Sequence, residues 1–484
     1  MNTTTNEPSK GSKPCINQQE LHDLLRELSR LLESTGFEDE DCFPLSAYLI
    51  PDLARCGQEQ PAIEQACKLL DTNHPDKINI FNRTMGRIVT TIVRAGRLEE
   101  ALALIEESEW MALLSPGDFQ AKSAGEIRLY RSLSDKDAWR MLSEKSFVAY
   151  EYTKKRDIEK ALSVISGIHN HRYKAKCFFN LANALEEEGD SKSDEYFGKG
   201  LLEAGLIMSD IARGFVLSDA AGQRAKAGKY EQAIETVFLI PSPWWRTSAY
   251  SRLGQIFIKA NRTDYFIQMY NAVIDVEEFP DDECSNRNAN IADTLAHFAY
   301  IAKLHRYDKS EIMFKEALHY AMLSKDAQDK VLSYCDVSIM MMLCSYADSG
   351  ASFNRVMALA EKLQPCERSR TLSHITARLA MFSLYEPSLF LLPRVFIRYD
   401  YEYALSNIVE YLARDSRRKE AIPLWKGITY YKEKIESLEK IVEAMVRDGE
   451  VAEAMNMLNG NENEKYRQVI LKGIIENLHL LNVS

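Results

Sequence analysis

One short pattern recurs along the chain wherever an apolar, helix-like run ends and another begins. It combines a basic residue, a turn-forming residue that is often glycine, and an alanine five positions after the turn. The recurrences are 94–101, 154–161, 226–233, 414–421 and 447–454, with a shorter version at 188–190. Such recurrence indicates a repeat array, because a single helix pair is too small to bury its own apolar face.

The turns give the length of the repeat. They lie at Arg156, Gly189, Gly228, Asn261, Ser416 and Gly449. Three of the intervals between them are equal, one is slightly longer, and the interval from Asn261 to Ser416 is several times longer. The recurring interval is the length of a unit that holds two helices joined by a tight turn. In the long interval the repeat is hard to follow, and a kink or break is predicted where Pro393 interrupts the apolar run 389–397.

Each first helix carries a large apolar residue followed by a small or branched one. In the unit around Gly189 these are Leu181 and Ala182, on the same face as Leu185. Apolar residues at spacings of three and four lie on one side of a helix. The second helix carries an alanine, such as Ala233, where a small side chain lets two helix backbones approach closely.

This combination resembles the tetratricopeptide repeat over roughly residues 40–484. The resemblance implies an all-α fold, a right-handed α-solenoid of stacked antiparallel helix pairs. The chain departs from the family pattern late in the second helix, where Ile168, Ile240 and Ile428 replace a small residue. It also lacks the proline that usually closes the family's repeat.

Three regions are expected along the chain. Residues 1–16 are polar and form a disordered tail, residues 17–36 form an N-terminal capping helix, and residues 37–484 form the solenoid, with the kink or break between 277 and 400. Asn17 and Glu20 match a capping box at the start of the first helix. The stretch 466–481 matches a first helix without its second, as expected of a helix that closes an array.

The composition argues against several classes of partner and location. The formal net charge of −11 disfavours nucleic acid and acidic membranes, which bind clustered Lys and Arg. No apolar run reaches the length of a membrane helix, and the nine cysteines contain no C-x-x-C pair, which suits a reducing compartment. We therefore expect a cytoplasmic protein. The polar N-terminal tail is also compatible with specialised export from a bacterium.

Signatures of chemistry are sparse in the sequence. A phosphate loop, H-E-x-x-H, G-x-S-x-G and a dinucleotide fingerprint are all missing from it. His169, His171 and Cys177 offer metal-ligand atoms, but a polar turn is the favoured interpretation because no second ligand pair with zinc-like spacing follows. The acidic run 275–283 is interpreted as a solvated loop, with a dock for a basic partner as the alternative. We expect no enzyme activity, no cofactor and no metal.

Two groups of residues are candidates for partner binding. Trp244 and Trp245 are adjacent on a helix that Ser242 caps and Pro243 begins, so they cannot both face the core; one is expected to join neighbouring repeats and the other to stay exposed as an anchor. The resemblance implies a groove lined by exposed positions of the first helices. The residues at those positions include Lys176, Phe179, Asn183, Ser251, Gln255, Glu410, Glu439 and Glu443. The family's carboxylate clamp is not reproduced, so a free C-terminus is not the expected ligand.

The leading hypothesis is therefore a scaffold or adaptor that binds a protein or peptide partner in a superhelical groove. One alternative is a helical-repeat protein that binds single-stranded RNA, against which the net charge argues because such grooves are basic. Another is a secreted bacterial effector built on the same scaffold.

Overall fold

The computed structural model describes residues 15–34, 47, 49–69, 77–113, 145–275, 287–461, 463–478 and 481–483. Residues 1–14, which hold most of the predicted tail, lie outside this part of the chain. So do the segment 114–144 and all of the acidic run except Asp275.

In the described part, the secondary structure is helical apart from two short strands, β1 (Cys15–Ile16) and β2 (Asn482–Val483). The helices of the N-terminal part are α1 (Gln18–Ser34), α2 (49–55), α3 (Glu59–Lys68), α4 (Lys77–Arg94), α5 (Leu98–Leu113), α6 (145–154) and α7 (Ile158–Ser166). The central helices are α8 (His171–Glu187), α9 (Lys192–Gly205), α10 (Asp210–Lys226), α11 (Tyr230–Phe238), α12 (Pro243–Lys259), α13 (Thr263–Ile274), α14 (Arg287–Leu304), α15 (Ser310–Leu323), α16 (Ala327–Leu343), α17 (Ser349–Ala360), α18 (Pro365–Met381) and α19 (Tyr385–Leu391). The C-terminal helices are α20 (Arg398–Arg414), α21 (Arg418–Lys426), α22 (Tyr431–Arg447), α23 (Val451–Asn459) and α24 (Glu464–Asn477).

The chain divides into two compact units. Unit 1 consists of Met1–Val164 together with Val409–Ser484, and unit 2 consists of Ile165–Ile408. The boundaries fall within α7 and α20. Within each unit, consecutive helices pack in pairs, as α4 with α5 in unit 1 and α8 with α9 in unit 2. The predicted fold class, an all-α array of stacked helix pairs, is confirmed.

The residue at the centre of each turn between paired helices has a positive φ. These residues are Gly57, Gly96, Arg156, Gly189, Gly228, Asn261, Arg306, Ser345, Ser383, Ser416 and Gly449. They include all six turns predicted from the sequence. The left-handed conformation reverses the chain because it lets the next N–H bond back to the helix, as Lys229 does to the carbonyl of Arg224 at 3.0 Å.

Three of these turns fill the interval in which the repeat was hard to follow. Arg306, Ser345 and Ser383 divide it into shorter intervals, the last equal to the recurring one and the others somewhat longer. Within it, α19 ends at Leu391, and Pro393 lies in the 3-10 turn Leu392–Arg394 that follows.

In unit 2, the first helix of each pair packs on the first helix of the next, from α8 through α10, α12, α14 and α16 to α18. The large and small positions of the repeat are buried throughout, from Leu181 and Ala182 to Ile375 and Thr376. Small residues allow the close approach: a Cβ added at Gly254 would lie 2.4 Å from the ring of Phe298. The periodicity found in the sequence therefore identifies the core correctly.

In unit 1, the first and last parts of the described chain lie together. Strands β1 and β2 pair in parallel, and α1 packs on α24. The predicted capping box of α1 is confirmed, since the backbone N–H of Glu20 donates to Asn17 Oδ1 at 2.8 Å and that of Asn17 donates to Glu20 Oε2 at 3.2 Å.

A single arginine ties these two parts of unit 1 to each other. The Arg55 guanidinium donates to the carbonyl oxygen of Leu478 at 2.9 Å and to that of Leu481. It also pairs at 2.6 Å with Asp52, whose side chain is 1% exposed. A buried carboxylate and two backbone carbonyls near the C-terminus thus share one cation.

Candidate functional site

One position of the first helices stands out in unit 2 because it is polar in every pair. It lies nine residues before the turn residue, next to the buried large and small positions. It is occupied by Asn180, Asp219, Arg252, His297, Asp336 and His374. All six side chains keep access to solvent, although most of their neighbours in sequence are buried. We call the surface that they define the first-helix face.

The N-terminal end of this face combines cations with aromatic rings. Lys176 Nζ lies 5.0 Å from the centre of the Phe215 ring, and the guanidinium carbon of Arg172 lies 5.6 Å from it. Trp245 meets the same ring edge-on, with centroids 6.0 Å apart. Phe215 is 42% exposed. Burial, with a smaller contribution from Arg172, lowers the pKa of Lys176.

In the next part of the first-helix face, side-chain hydrogen bonds join the adjacent first helices α8, α10 and α12. Gln223 Nε2 donates to Asn180 Oδ1 at 3.3 Å and to Asp219 Oδ2 at 3.2 Å. Arg252 donates to Asp219 Oδ1 at 2.9 Å. This part of the face is a fixed polar network that runs across α8, α10 and α12.

Two carboxyl groups and one guanidinium occupy the centre of the face. Asp336 pairs with Arg378 at 3.0 Å, and Asp293 Oδ1 is buried without a hydrogen-bond partner among the described residues. Burial and the neighbouring Asp336 raise the pKa of Asp293 well above its usual range. Burial also raises the pKa of Asp336 to about 6, against the opposing effect of Arg378. The cause is physical: each ionised carboxylate loses hydration there and only one cation compensates for it.

Two histidines flank these carboxyl groups. His297 is exposed, yet the surrounding protein desolvates its ring enough to lower its pKa. The pKa of His374 is also lowered, first by burial and then by Arg378, and its ring meets Tyr403 edge-on at 5.4 Å.

The structure places the predicted groove residues of unit 2 as follows. Lys176 belongs to the first-helix face, Asn183 and Ser251 are half-buried on the same helices, and Gln255 is exposed. Phe179 is a correction, because its side chain is 2% exposed and packs against Gly200 and Phe197 in the core. The alignment of the repeats that placed Phe179 in the groove was shifted by one residue. Such a shift turns a side chain by about 100° around the helix.

The tryptophan pair behaves as expected for the part that is described. Trp245 joins two repeats, because a Cβ added at Gly214 of α10 would lie 2.9 Å from it. The side chain of Trp244 lies outside the described residues. Pro243 begins α12 after Ser242, as predicted, but the Ser242 side chain makes no capping hydrogen bond.

The predicted acidic residues of unit 1 are partly neutralised. Glu439 pairs with Lys472 at 3.3 Å and Glu443 with Lys440 at 3.0 Å. The hydrogen bond that Lys440 Nζ donates to Glu443 raises the pKa of Lys440, and the charges of Glu410 and Glu439 add to that effect. These acids offer less free negative charge than the sequence suggests.

The remaining candidates for chemistry occupy ordinary structural positions. His171 Nδ1 lies 2.7 Å from Glu203 Oε2, and Cys177 is in the core. Among the described residues, no three metal-ligating side chains come together. None of the described helices combines the length and the apolar character that crossing a lipid bilayer requires.

The polar position nine residues before the turn was not among the predicted site residues. Its signal is present in the sequence: in each repeat of unit 2, one ionisable or amide side chain directly precedes the two buried positions, which hold an apolar residue and then a small or β-branched one. Recognising it requires the turns at Arg306, Ser345 and Ser383, which follow one another at intervals longer than the recurring one.

Comparisons with known proteins give no family. No family matches the chain, and no curated protein does. Among solved structures, Ton1535 from Thermococcus onnurineus is 16% identical, with 74% of this chain and 99% of that chain covered, at a TM-score of 0.24. An engineered protein is 12% identical over 94% and 99% of the two chains, at 0.28. The human IFIT1 dimer with PPP-AAAA is 13% identical over 95% of each chain, at 0.24. At such scores, none of these likenesses says what this chain binds.

Proposed function

We propose that this protein is a non-catalytic scaffold that binds a polypeptide partner on the first-helix face of unit 2. The observation that carries the proposal is the row of solvent-accessible polar side chains at one position of six adjacent helices. Tetratricopeptide-like arrays and other helical repeats place their ligand surfaces on such repeated positions. The cytoplasm is the proposed location, and no cofactor is invoked.

The chemistry of the face changes along its length, which favours a partner with several kinds of side chain. Lys176 and Phe215 suit an acidic or aromatic group, and the hydrogen-bonded Asp219 and Arg252 suit polar groups. The carboxyl groups of Asp293 and Asp336, the second of which already pairs with Arg378, suit hydrogen-bonding groups. A polypeptide supplies all of these, whereas a polymer of uniform charge does not.

Site-specific photo-crosslinking in cells tests the proposal. A photoreactive amino acid at Ser248 or Gln255, which are exposed on α12, is expected to capture a polypeptide, while the same group at exposed Glu235 on α11 captures none of it. Lys176→Glu combined with Arg252→Glu should lower the yield by about tenfold, which corresponds to ~1.4 kcal/mol. Equal capture from α11 and α12 would contradict the proposal.

The predicted acids of unit 1 provide a second arm of the experiment. Glu439→Lys combined with Glu443→Lys leaves the first-helix face of unit 2 unchanged in sequence, so capture at Ser248 should persist. If capture is lost in Glu439→Lys with Glu443→Lys but not in Lys176→Glu with Arg252→Glu, the binding surface lies in unit 1.

A single-stranded RNA partner is the second candidate. The half-exposed Phe215 ring with Arg172 and Lys176 beside it favours this candidate, since stacking and cationic contacts hold unpaired bases. The carboxyl groups on the same face and the net charge of −11 oppose it. Binding of an oligouridylate that weakens steeply with salt, and is lost in Phe215→Ser, would favour RNA over a polypeptide.

A secreted bacterial effector remains the alternative for location. A reporter fused after residues 1–16 separates the two proposals, since a reporter retained inside the producing bacterium favours a cytoplasmic scaffold.

A further inference from the structure

A cluster of aromatic, aliphatic and basic side chains lies where α19 ends and α20 begins, and all of them are exposed except Arg368 of α18, which is half-buried. Its members, which we call the aromatic–arginine patch, are Arg368, Leu389, Phe390, Arg394, Phe396 and Tyr399. Phe390 is 69% exposed, and Phe396 and Tyr399 are each 53% exposed. Neighbouring exposed aromatic rings often indicate an interaction surface, because the removal of apolar surface from water by a partner lowers the free energy.

The backbone beneath the patch is firmly anchored. Leu391, Leu392 and Val395 are buried, and Leu391 and Val395 belong to a core that they share with α16 and α18. Ser369 Oγ accepts a hydrogen bond from the backbone N–H of Ile397 at 3.0 Å, and Ser388 Oγ donates to the carbonyl of Thr376 at 2.9 Å. The patch therefore presents its rings from a rigid platform, which limits the conformational entropy that a partner's binding would cost.

Two arginines of the patch are arranged to accept an anionic partner. The guanidinium carbon of Arg368 lies 5.4 Å from the centre of the Phe396 ring, and that of Arg394 lies 5.3 Å from the Phe390 ring. Neither forms an ion pair with a carboxylate in the part of the chain that the structure describes, whereas Arg398 pairs at 2.6 Å with Glu402. A guanidinium that lies beside a ring and pairs with no carboxylate has N–H donors available for a carboxylate of a partner.

We propose that the aromatic–arginine patch is a docking surface for an acidic polypeptide segment that carries apolar side chains. Two free guanidinium groups complement carboxylates of the segment, and the exposed rings beside them complement its apolar side chains. This surface is separate in residues from the first-helix face, so the inference goes beyond the proposed function.

Charge decides between a polypeptide and nucleic acid as the occupant. Glu367 and Glu386 are exposed in the helices that carry the patch, and the chain has a net charge of −11. A continuous row of phosphates would meet those carboxylates, because its charge is fixed at every nucleotide. A polypeptide can place a carboxylate opposite each arginine and a neutral side chain opposite each glutamate.

Selection of a random peptide library displayed on phage, with the full chain as bait, tests the proposal. Enriched peptides are expected to combine Asp or Glu with aromatic or aliphatic residues. Arg368→Glu combined with Arg394→Glu should weaken the best peptide by about tenfold or more, since each lost pair is charge-assisted. Phe390→Ser combined with Phe396→Ser should weaken the same peptide without a change of charge.

The matched control is Arg355→Glu combined with Lys362→Glu. Both residues are exposed in unit 2 outside the patch, and the change of net charge is the same. This variant should bind the selected peptide as the wild type does. Equal weakening in control and patch variants would reduce the effect to overall charge and overturn the proposal.

Three further outcomes also overturn it. They are no enriched peptide, enrichment that the patch variants leave intact, and an oligouridylate that binds the wild type but not the arginine variant. Circular dichroism checks that each variant keeps its helix content. If charge reversal unfolds the chain, Arg368→Gln with Arg394→Gln replaces it and must weaken the peptide in the same direction.

Discussion

A single carboxyl group, that of Asp293, shows how strongly position on a helix controls chemistry in this protein. It lies on α14, four residues before His297, yet its Oδ1 is buried without a hydrogen-bond partner among the described residues. An acid in that setting is more easily kept neutral than ionised.

This setting predicts a specific dependence of stability on pH. A carboxyl group whose pKa is raised on folding binds more protons in the folded state, so its contribution to the free energy of unfolding is lost as pH rises from its unfolded pKa through its folded pKa. Asp293→Asn removes this decrease in the free energy of unfolding, because asparagine does not ionise. We expect the variant to be more stable than the wild type by about 1–3 kcal/mol near pH 8, with the difference shrinking towards about pH 4.

Thermal or urea unfolding followed at several pH values measures this difference. The lowered pKa values of His297 and His374 make stability rise with pH, opposite to the effect of Asp293. Because both histidines are present in the variant and in the wild type, the difference in stability between the two proteins reports on Asp293. Asp308→Asn is the matched control, because Asp308 is exposed. A variant that is less stable than the wild type at high pH would show that the ionised carboxylate makes a favourable contact.

Residue-level prediction from the sequence succeeded for buried positions and was less secure for exposed ones. The two core positions of the first helix are buried in each pair of unit 2, even where Ala220 takes the place of a large residue or Ser338 that of an apolar one, so the core follows from their spacing. Phe179 was placed on the wrong side of its helix. Burial does not restrict the residues at exposed positions, so the sequence does not reveal a shift of one residue in the alignment of the repeats there.

At the scale of helices, the contact between α12 and α14 depends on a missing side chain. A Cβ added at Gly254 would lie 2.4 Å and 2.8 Å from two ring atoms of Phe298, which is fully buried. Ring atoms in a packed core cannot withdraw without moving α14.

A double-mutant cycle tests this contact. Gly254→Ala is expected to destabilise unit 2 by about 1–3 kcal/mol through overpacking, and Phe298→Leu by about 1–2 kcal/mol through lost burial. The double variant should be about 1 kcal/mol more stable than the sum of the two single-variant effects predicts, because the smaller leucine side chain makes room for the methyl group.

Gly198→Ala in α9 is the control for the cycle, since an added Cβ there meets nothing within 4 Å. It should leave the stability unchanged or raise it slightly, because alanine favours helix. Additive effects in the cycle would mean that the two positions do not share one packing contact.

Turns explain where the prediction of helix pairs stopped. Glycine marks Gly189, Gly228 and Gly449 because it adopts positive φ without a steric penalty. Arg306, Ser345 and Ser383 adopt the same conformation with a side chain, so the packing of their repeats, rather than local preference, holds them there. Arg156, Asn261 and Ser416 also lack glycine, but the residues around them repeat the common pattern and so predicted their turns. The intervals from Asn261 to Ser383 are longer than the recurring one, which made Arg306, Ser345 and Ser383 hard to recognise.

At the scale of the whole molecule, Arg55 adds to the contacts of β1 with β2 and of α1 with α24 that join the two stretches of chain in unit 1. Arg55→Met leaves the buried Asp52 carboxylate without its cation and the carbonyls of Leu478 and Leu481 without their donor. We expect a loss of about 3 kcal/mol, as for other buried pairs that lose one partner.

Hydrogen exchange followed by mass spectrometry localises the effect. Backbone amides of α1, α24 and β2 should exchange faster in Arg55→Met, while those of α12 and α14 in unit 2 stay protected. Asp52→Asn combined with Arg55→Met should be less destabilised than the single variant, because no unpaired charge remains. Unchanged exchange in α24 would show that β1, β2 and α1 suffice to hold it.

The division of the chain into units has a consequence for synthesis on the ribosome. Translation delivers all of unit 2 before the stretch Val409–Ser484, so unit 2 emerges while its sister unit is still incomplete. Helix α1, which packs on α24, and Arg55, which donates to Leu478 and Leu481, lack these contacts until the final stretch has been made.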